Sequence, residues 1–236
     1  MSIELPGEFS AFSILFIGFF LGLRHAIEAD HLAAVSTIIV EKKNLLSASL
    51  VGGLWGLGHT ISLFLAGVAV ILLKMEISET LEVYFEAIVG CMLILLGSNT
   101  LRKLFAARKI HIHTHKHGIL EHIHPHIHLV ENETEHHGLS PRSVFIGMIH
   151  GLAGSAALML MIIPTISSPW LAMLFILIFG IGSTGGMIVM SFLMATPLYF
   201  AQGSFGILNR GLHLVAGIFS VFLGITIVYE KLFARS

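Results

Sequence analysis

From Pro169 to Ala201 the chain carries no charged side chain. That run alone exceeds the roughly 20 apolar residues that one helical crossing of a bilayer requires. It is not isolated: 55% of the 236 residues are hydrophobic, 11% are charged and the mean hydropathy is +0.89. A soluble domain carries about a quarter charged residues, so its core could not hide this much apolar surface. Composition therefore excludes a soluble globular enzyme, and it excludes disorder, which needs low hydrophobicity. A formal net charge of −1 gives no sign of nucleic-acid binding. The single cysteine, Cys91, lies in an apolar run and rules out an intrachain disulfide framework. An integral membrane protein is what remains.

Apolar length predicts an all-α membrane protein with about six transmembrane helices, near residues 9–31, 47–73, 81–101, 143–166, 169–199 and 211–230. The first apolar stretch continues to Val40, long for one straight helix. It is expected to be broken or re-entrant after the polar residues 24–31, and counting it as two crossings would give seven spans. The first nine residues hold Glu4 and Glu8 and no Lys or Arg, so a retained span is expected rather than a cleavable signal. Lys74, Lys231 and Arg235 fall on one side of the six-span layout. Lys42, Lys43, Arg102, Lys103, Arg108, Lys109, Lys116, Arg142 and Arg210 fall on the other. The positive-inside rule then places both termini outside the cell membrane and the long loop 102–142 in the cytoplasm.

The two halves resemble each other. Leu54-Trp55-Gly56-Leu57-Gly58-His59-Thr60 aligns with Ile178-Phe179-Gly180-Ile181-Gly182-Ser183-Thr184, and residues 20–25 align with 145–150. Glu86 to Gly90 and Gly97 align with His213 to Gly217 and Gly224. The spacing agrees as well: His25 precedes His59 by 34 positions, and His150 precedes Ser183 by 33. Three spans per half is an odd number, so the chain is expected to form two inverted three-helix repeats, 1–101 and 143–236, joined by the loop 102–142. The plainer alternative is that glycine-rich apolar helices look alike by composition.

Inside the first apolar stretch stands Arg24-His25-Ala26-Ile27-Glu28-Ala29-Asp30-His31. Each ionisable group in a bilayer core costs roughly 2.5–3.5 kcal/mol, so five within eight residues must face protein, water or an ion. On a helix His25, Glu28 and His31 form one slanted stripe while Asp30 points elsewhere. A kink after His25 would bring Asp30 back. Imidazoles with carboxylates suit a borderline divalent transition metal, where an all-oxygen set would suit magnesium or calcium. The alternative is a charged helix end in water at the membrane edge.

His59 is the sole ionisable residue between Ser47 and Leu73 and follows four glycines. It reads as a ligand or gate, against the blander role of a packing residue. Ser183 and Thr184 occupy the matching place in the second half as candidate path-lining residues, though hydroxyls also bond back to their own helix. His150 matches His25 but has no acidic residue after it, so path lining competes with a tight helix contact at its small neighbours. Glu86 and His213 could pair, relay protons or mark the membrane boundary.

The loop holds ten histidines: His111, His113, His115, His117, His122, His124, His126, His128, His136 and His137. Two runs alternate strictly, which in extended chain puts four imidazoles on one face. No hydrophobic period is present to fold the segment by itself, so it reads as a flexible accessory metal-binding loop, or as a tolerated low-complexity insert.

His25, then four residues, then Asp30-His31 resembles the early-span motif of the nickel/cobalt transporter superfamily, in particular its UreH-type nickel permeases. Leu57-Gly58-His59-Thr60 resembles the second motif, and His150-Gly151-Leu152-Ala153-Gly154-Ser155 is similar to the UreH branch. The resemblance covers the whole six-span layout. It implies His25, Asp30, His31 and His59 as metal-path residues, with Glu28 standing where many relatives have Asp. It implies transport of nickel, with cobalt as a second candidate, import favoured, through the set His25, Glu28, Asp30, His31 and His59. A soluble nickel chaperone is a candidate partner beside the bilayer and the metal ion. The histidine-rich loop is instead similar to efflux members, so nickel or cobalt efflux, or a non-transporting metal sensor or storage protein, stands as the alternative. No enzyme and no catalytic cofactor are expected: the zincin His-Glu-x-x-His pattern and a phosphate-cradling ATPase loop are both missing from the sequence.

Overall fold

The computed structural model describes residues 11–40, 42, 44–73, 78–106, 111–117, 120–126, 141–153, 166, 168–201 and 206–234. Seven helices lie among them: α1 (Ala11–His25), α2 (Ala29–Ile39), α3 (Leu45–Leu73), α4 (Glu79–Ala106), α5 (Pro141–Ala153), α6 (Pro169–Ala201) and α7 (Gly206–Leu232). Their starts carry expected signals. Asn44 Oδ1 accepts from Ser47 N at 2.6 Å and Ser78 Oγ from Leu81 N at 3.3 Å, each capping a free amide. Pro141 and Pro169 stand at the first helical position, where a missing N–H costs nothing.

Four of these helices are long and apolar enough to cross a bilayer, and the bent pair α1–α2 makes a fifth candidate. The chain is a multi-pass α-helical membrane protein. Four of the expected spans lengthen by a few residues at their ends. The fourth, near 143–166, is described only through α5, and residues 154–165 lie outside the described residues. The break in the first stretch comes earlier than expected, within the polar residues and not after them. The two helices meet at 54°. The last turn of α1 tightens to bonds from Ile27 N to Arg24 O and from Glu28 N to His25 O, and Glu28 then turns extended at ψ 149°. Asp30 steadies the new start: its Oδ1 accepts from His31 N at 2.9 Å, and its charge meets the positive end of α2.

The long helices pack in pairs, α4 on α7, α3 on α6 and α5, and α1 on α6. Glycines set the spacing, as is usual where no hydrophobic force draws helices together in lipid. A Cβ at Gly22 would meet the Phe179 carbonyl, and one at Gly182 the Phe19 carbonyl. Gly58 faces the Val144 carbonyl and Gly147 that of Trp55, while Gly90 abuts Gly224 and Gly97 abuts Gly217. The main buried cluster centres on Trp55, Leu93, Ile39 and Met187, and a second one on Phe175, Ile176 and Phe179.

The loop departs from expectation. His111–His117 (β1) and Leu120–His126 (β2) pair antiparallel, with His111 opposite His126, His113 opposite His124 and His115 opposite His122. The segment lacks an apolar period, yet strict alternation is itself the period of a strand. His128, His136 and His137 lie outside the described residues.

Gly58→Val should lower the midpoint of thermal unfolding in detergent by roughly 5 °C, the result of an overpacking cost of about 1–3 kcal/mol against Val144. Gly185→Ala, at a position with nothing within 4 Å among the described residues, should leave the midpoint unchanged.

Candidate metal site

His25 ends α1, Asp30 and His31 begin α2, His59 lies midway along α3 and His150 near the end of α5. The helix break turns the first pair of segments back on each other, and the close α3–α5 approach supplies the other side. All four imidazoles are buried, at 0–1% exposure. The His31 ring stands 4.4 Å from His25, 5.3 Å from His59 and 4.2 Å from His150, centre to centre. His25 and His59 are 5.2 Å apart. Trp55 and Phe179 wall the group, Trp55 at 5.3 Å from both His31 and His150, Phe179 at 5.5 Å from His25.

Two carboxylates reach the cluster. Asp30 spans two imidazoles, with Oδ1 3.1 Å from His31 Nδ1 and Oδ2 2.9 Å from His150 Nε2. Those contacts hold each ring by one nitrogen and leave His31 Nε2 and His150 Nδ1 buried without a hydrogen-bond partner among the described residues. Glu28 Oε2 lies 2.9 Å from His25 Nδ1, close enough for an ion pair though not aligned as a hydrogen bond, and its side chain is 42% exposed. Counting His25 and His59, six ring nitrogens of the four histidines are buried without a hydrogen-bond partner among the described residues. An unsatisfied buried polar atom costs about 1–3 kcal/mol, which a coordinated cation would offset.

Two groups of three bring their ligand atoms within 4.8 Å of one another: His25, His31 and His59, and Asp30, His31 and His150. Metal–nitrogen bonds of about 2.0–2.1 Å need only a small contraction of either group. The break follows His25, where a kink was considered, and it does return Asp30 to the histidines. Glu28 sits beside His25 and outside both groups. Arg24 points away and is exposed.

The path-lining candidates divide. His150 enters the cluster, and the tight helix contact is there too, since a Cβ on Gly151 would meet Ser62 Oγ. Thr184 Oγ1 lies 3.1 Å from Thr60 Oγ1, whose hydroxyl also reaches Gly56 O at 2.9 Å and Gly180 O at 3.1 Å. This places Thr184 in the α3–α6 contact. Ser183 Oγ is fully buried and has no hydrogen-bond partner among the described residues. Glu86 pairs with Lys231, and not with His213, whose Nδ1 lies 2.9 Å from Asn209 O of its own helix. Sequence reasoning gave Trp55 no role. Its signal was alignment with Phe179, since each ring flanks the histidine that the other half supplies.

The chain matches the family NicO, described as high-affinity nickel-transport protein, over residues 11–232. It is 36% identical over 219 residues to the urease accessory protein UreH of Bacillus sp. (strain TB-90), covering 92% of this chain and 91% of that protein. It is 36% identical over 67 residues to the high-affinity nickel transport protein of Cupriavidus necator, 28% of this chain and 19% of that one. It is 26% identical over 159 residues to the chloroplast protein FOR GROWTH AND FERTILITY 2 of Arabidopsis thaliana, 64% of this chain and 38% of that protein. No solved structure matches. The chain belongs to the NicO family, a transporter family whose named cargo is nickel.

Nickel at about 100 times its dissociation constant should stabilise the purified protein by about 2.7 kcal/mol, read as a raised unfolding midpoint. His31→Ala should remove that shift, and replacing the ten loop histidines by Asn should not. A full shift in His31→Ala would put the stabilising site elsewhere.

Proposed function

We propose that this NicO chain carries nickel, with cobalt as a second cargo, into the cell through the cluster at the α1–α2 break. His25, Asp30, His31 and His59 are the path residues, and Glu28 stands beside His25. The observation that carries the proposal is the set of four buried imidazoles whose nitrogens lack hydrogen-bond partners among the described residues, inside a bilayer-crossing bundle. Nitrogen donors with few oxygens select borderline divalent ions over magnesium and calcium. Each three-ligand group leaves a coordination position open, so the ion can enter and leave. The carboxylates offset its charge in a medium where a bare +2 ion is costly. Imidazole binds metal only when neutral, so protons and the ion compete for the same ring nitrogens.

Two inverted three-helix repeats, 1–101 and 143–236, fit this transport. Their support is an exchange of contacts under the alignment of the halves. Gly22 meets Phe179 as Gly147 meets the aligned Trp55, and Gly182 meets Phe19 as Gly58 meets the aligned Val144. Gly90 with Gly224 mirrors Gly97 with Gly217. Thr60 bonds its own counterpart, Thr184, where a two-fold axis would pass. His25 lies against Phe179 as His150 lies against Trp55. Such halves can tilt about a central site to open it to each side in turn.

Inward movement is supported by the likeness to the urease accessory protein along nearly the full length. The basic residues favour termini outside and loop 102–142 in the cytoplasm. There the loop histidines would hold released metal, and a soluble nickel chaperone would collect it. The paired histidines of β1 and β2 also favour a second reading, efflux or metal sensing.

Radioactive nickel accumulation in expressing cells separates these. Wild type should exceed empty vector, and His31→Ala at matched membrane levels should return to the vector level. Accumulation below vector, restored by His31→Ala, would establish export instead. Deleting residues 111–137 should leave transport intact, and its loss would shift the function to the loop.

A further inference from the structure

His150 is the one cluster histidine on a helix of the second half, and its own half gives it no carboxylate: no Asp or Glu occurs from Ser143 to Tyr229. Its acidic partner comes from the other half, through Asp30 Oδ2 at 2.9 Å. The repeat counterpart of His150 is His25, which has Glu28. Each of these equivalent histidines thus has one carboxylate from the α1–α2 break, and His31 stands between them, 4.4 Å from one ring and 4.2 Å from the other. The two three-ligand groups share His31 and nothing else.

We propose that Asp30, His31 and His150 form a second ion station, used in alternation with the station of His25, His31 and His59. The proposal rests on the nickel-transport reading and adds a route to it. The ion exchanges the bonds to His25 and His59 for bonds to Asp30 and His150, and His31 stays bound throughout. No electron is transferred, and the ion never passes bare through the low-dielectric interior. A single closed four-ligand site would hold the ion in the manner of a structural metal, whereas each three-ligand station keeps a position open for the next ligand. The stations differ in character. The first is all nitrogen and the second includes a carboxylate, so the exchange has a built-in difference for any change in helix packing to tip.

The test pairs two readouts on the full chain in liposomes: nickel entry with the loop intact, and equilibrium binding of radioactive nickel with the ten loop histidines replaced by Asn. His59→Ala and His150→Ala should each retain one bound nickel per chain with affinity lowered about ten-fold, and each should slow entry by about ten-fold or more. The double variant His59→Ala/His150→Ala should lose binding, because neither station is then complete. His150→Gln can still donate to Asp30 but is a poor ligand, so it should slow entry as His150→Ala does. Entry at the wild-type rate in His150→Gln would reduce His150 to a positioning residue for Asp30 and overturn the second station alone. Nickel binding that survives in the double variant would overturn it too. Absence of nickel entry with the unsubstituted chain would overturn the transport reading, and this proposal with it.

Discussion

Four imidazoles packed ring against ring inside a bilayer are the demand that the other parts of this structure meet. Each ring gives up water and must recover the loss from neighbours or from an ion. A straight first helix could not provide the contacts, because it would turn Asp30 away from His25 and His31. Breaking at residues 26–28 costs helix hydrogen bonds, and the tightened last turn of α1 with Asp30 on the amide of His31 recovers part of them. The second side of the cluster depends on backbone approach. His59 and His150 belong to helices whose separation is set by Gly58, Gly147 and Gly151, where any side chain would strike the facing helix. Small residues in the helix contacts and ionisable residues at the centre are thus one design, since without the first the second could not converge.

Much of this was legible in the sequence because membrane physics leaves so few options. A charge-free run across α6 can only be a buried or lipid-facing helix, and a His-Glu-Asp-His set next to such runs must converge on something polar. The contact of Thr60 with Thr184 joins two residues that Gly-x-Gly-x-Thr and its spacing had already aligned. What could not be read was where the break falls. No Gly or Pro marks residues 26–28, where Glu28 turns extended with its carboxylate beside His25. His150 was undervalued for a related reason. Local context offered it no carboxylate, and its partner lies 120 positions away in the chain.

The histidine-rich loop and Glu86 show the same limit from other directions. Alternation in the loop was noticed as a face of imidazoles, but without apolar residues there was no core for a strand to pack on. The pairing of β1 with β2 relies on backbone bonds and matched alternation instead. Glu86 was set beside His213 because the halves align there. The helices α4 and α7 cross in opposite directions, so residues at equivalent places lie at opposite ends of the contact and Glu86 meets Lys231. Alignment of the halves names counterparts and does not name neighbours, though Thr60 and Thr184 are both.

The two halves contribute unequally to the charge at the cluster. Glu28 and Asp30 both come from the first half, and the second has no acid until Glu230. Were the halves identical, four carboxylates would surround the histidines. With two ionised, a divalent cation brings the formal sum to zero, and its departure leaves −2. In the proposed carrier the transmembrane voltage would find no net formal charge on the loaded pair, and would act at about 2.3 kcal/mol per charge per 100 mV on the empty one. In the carrier proposed above, electrical work would then fall on resetting the site.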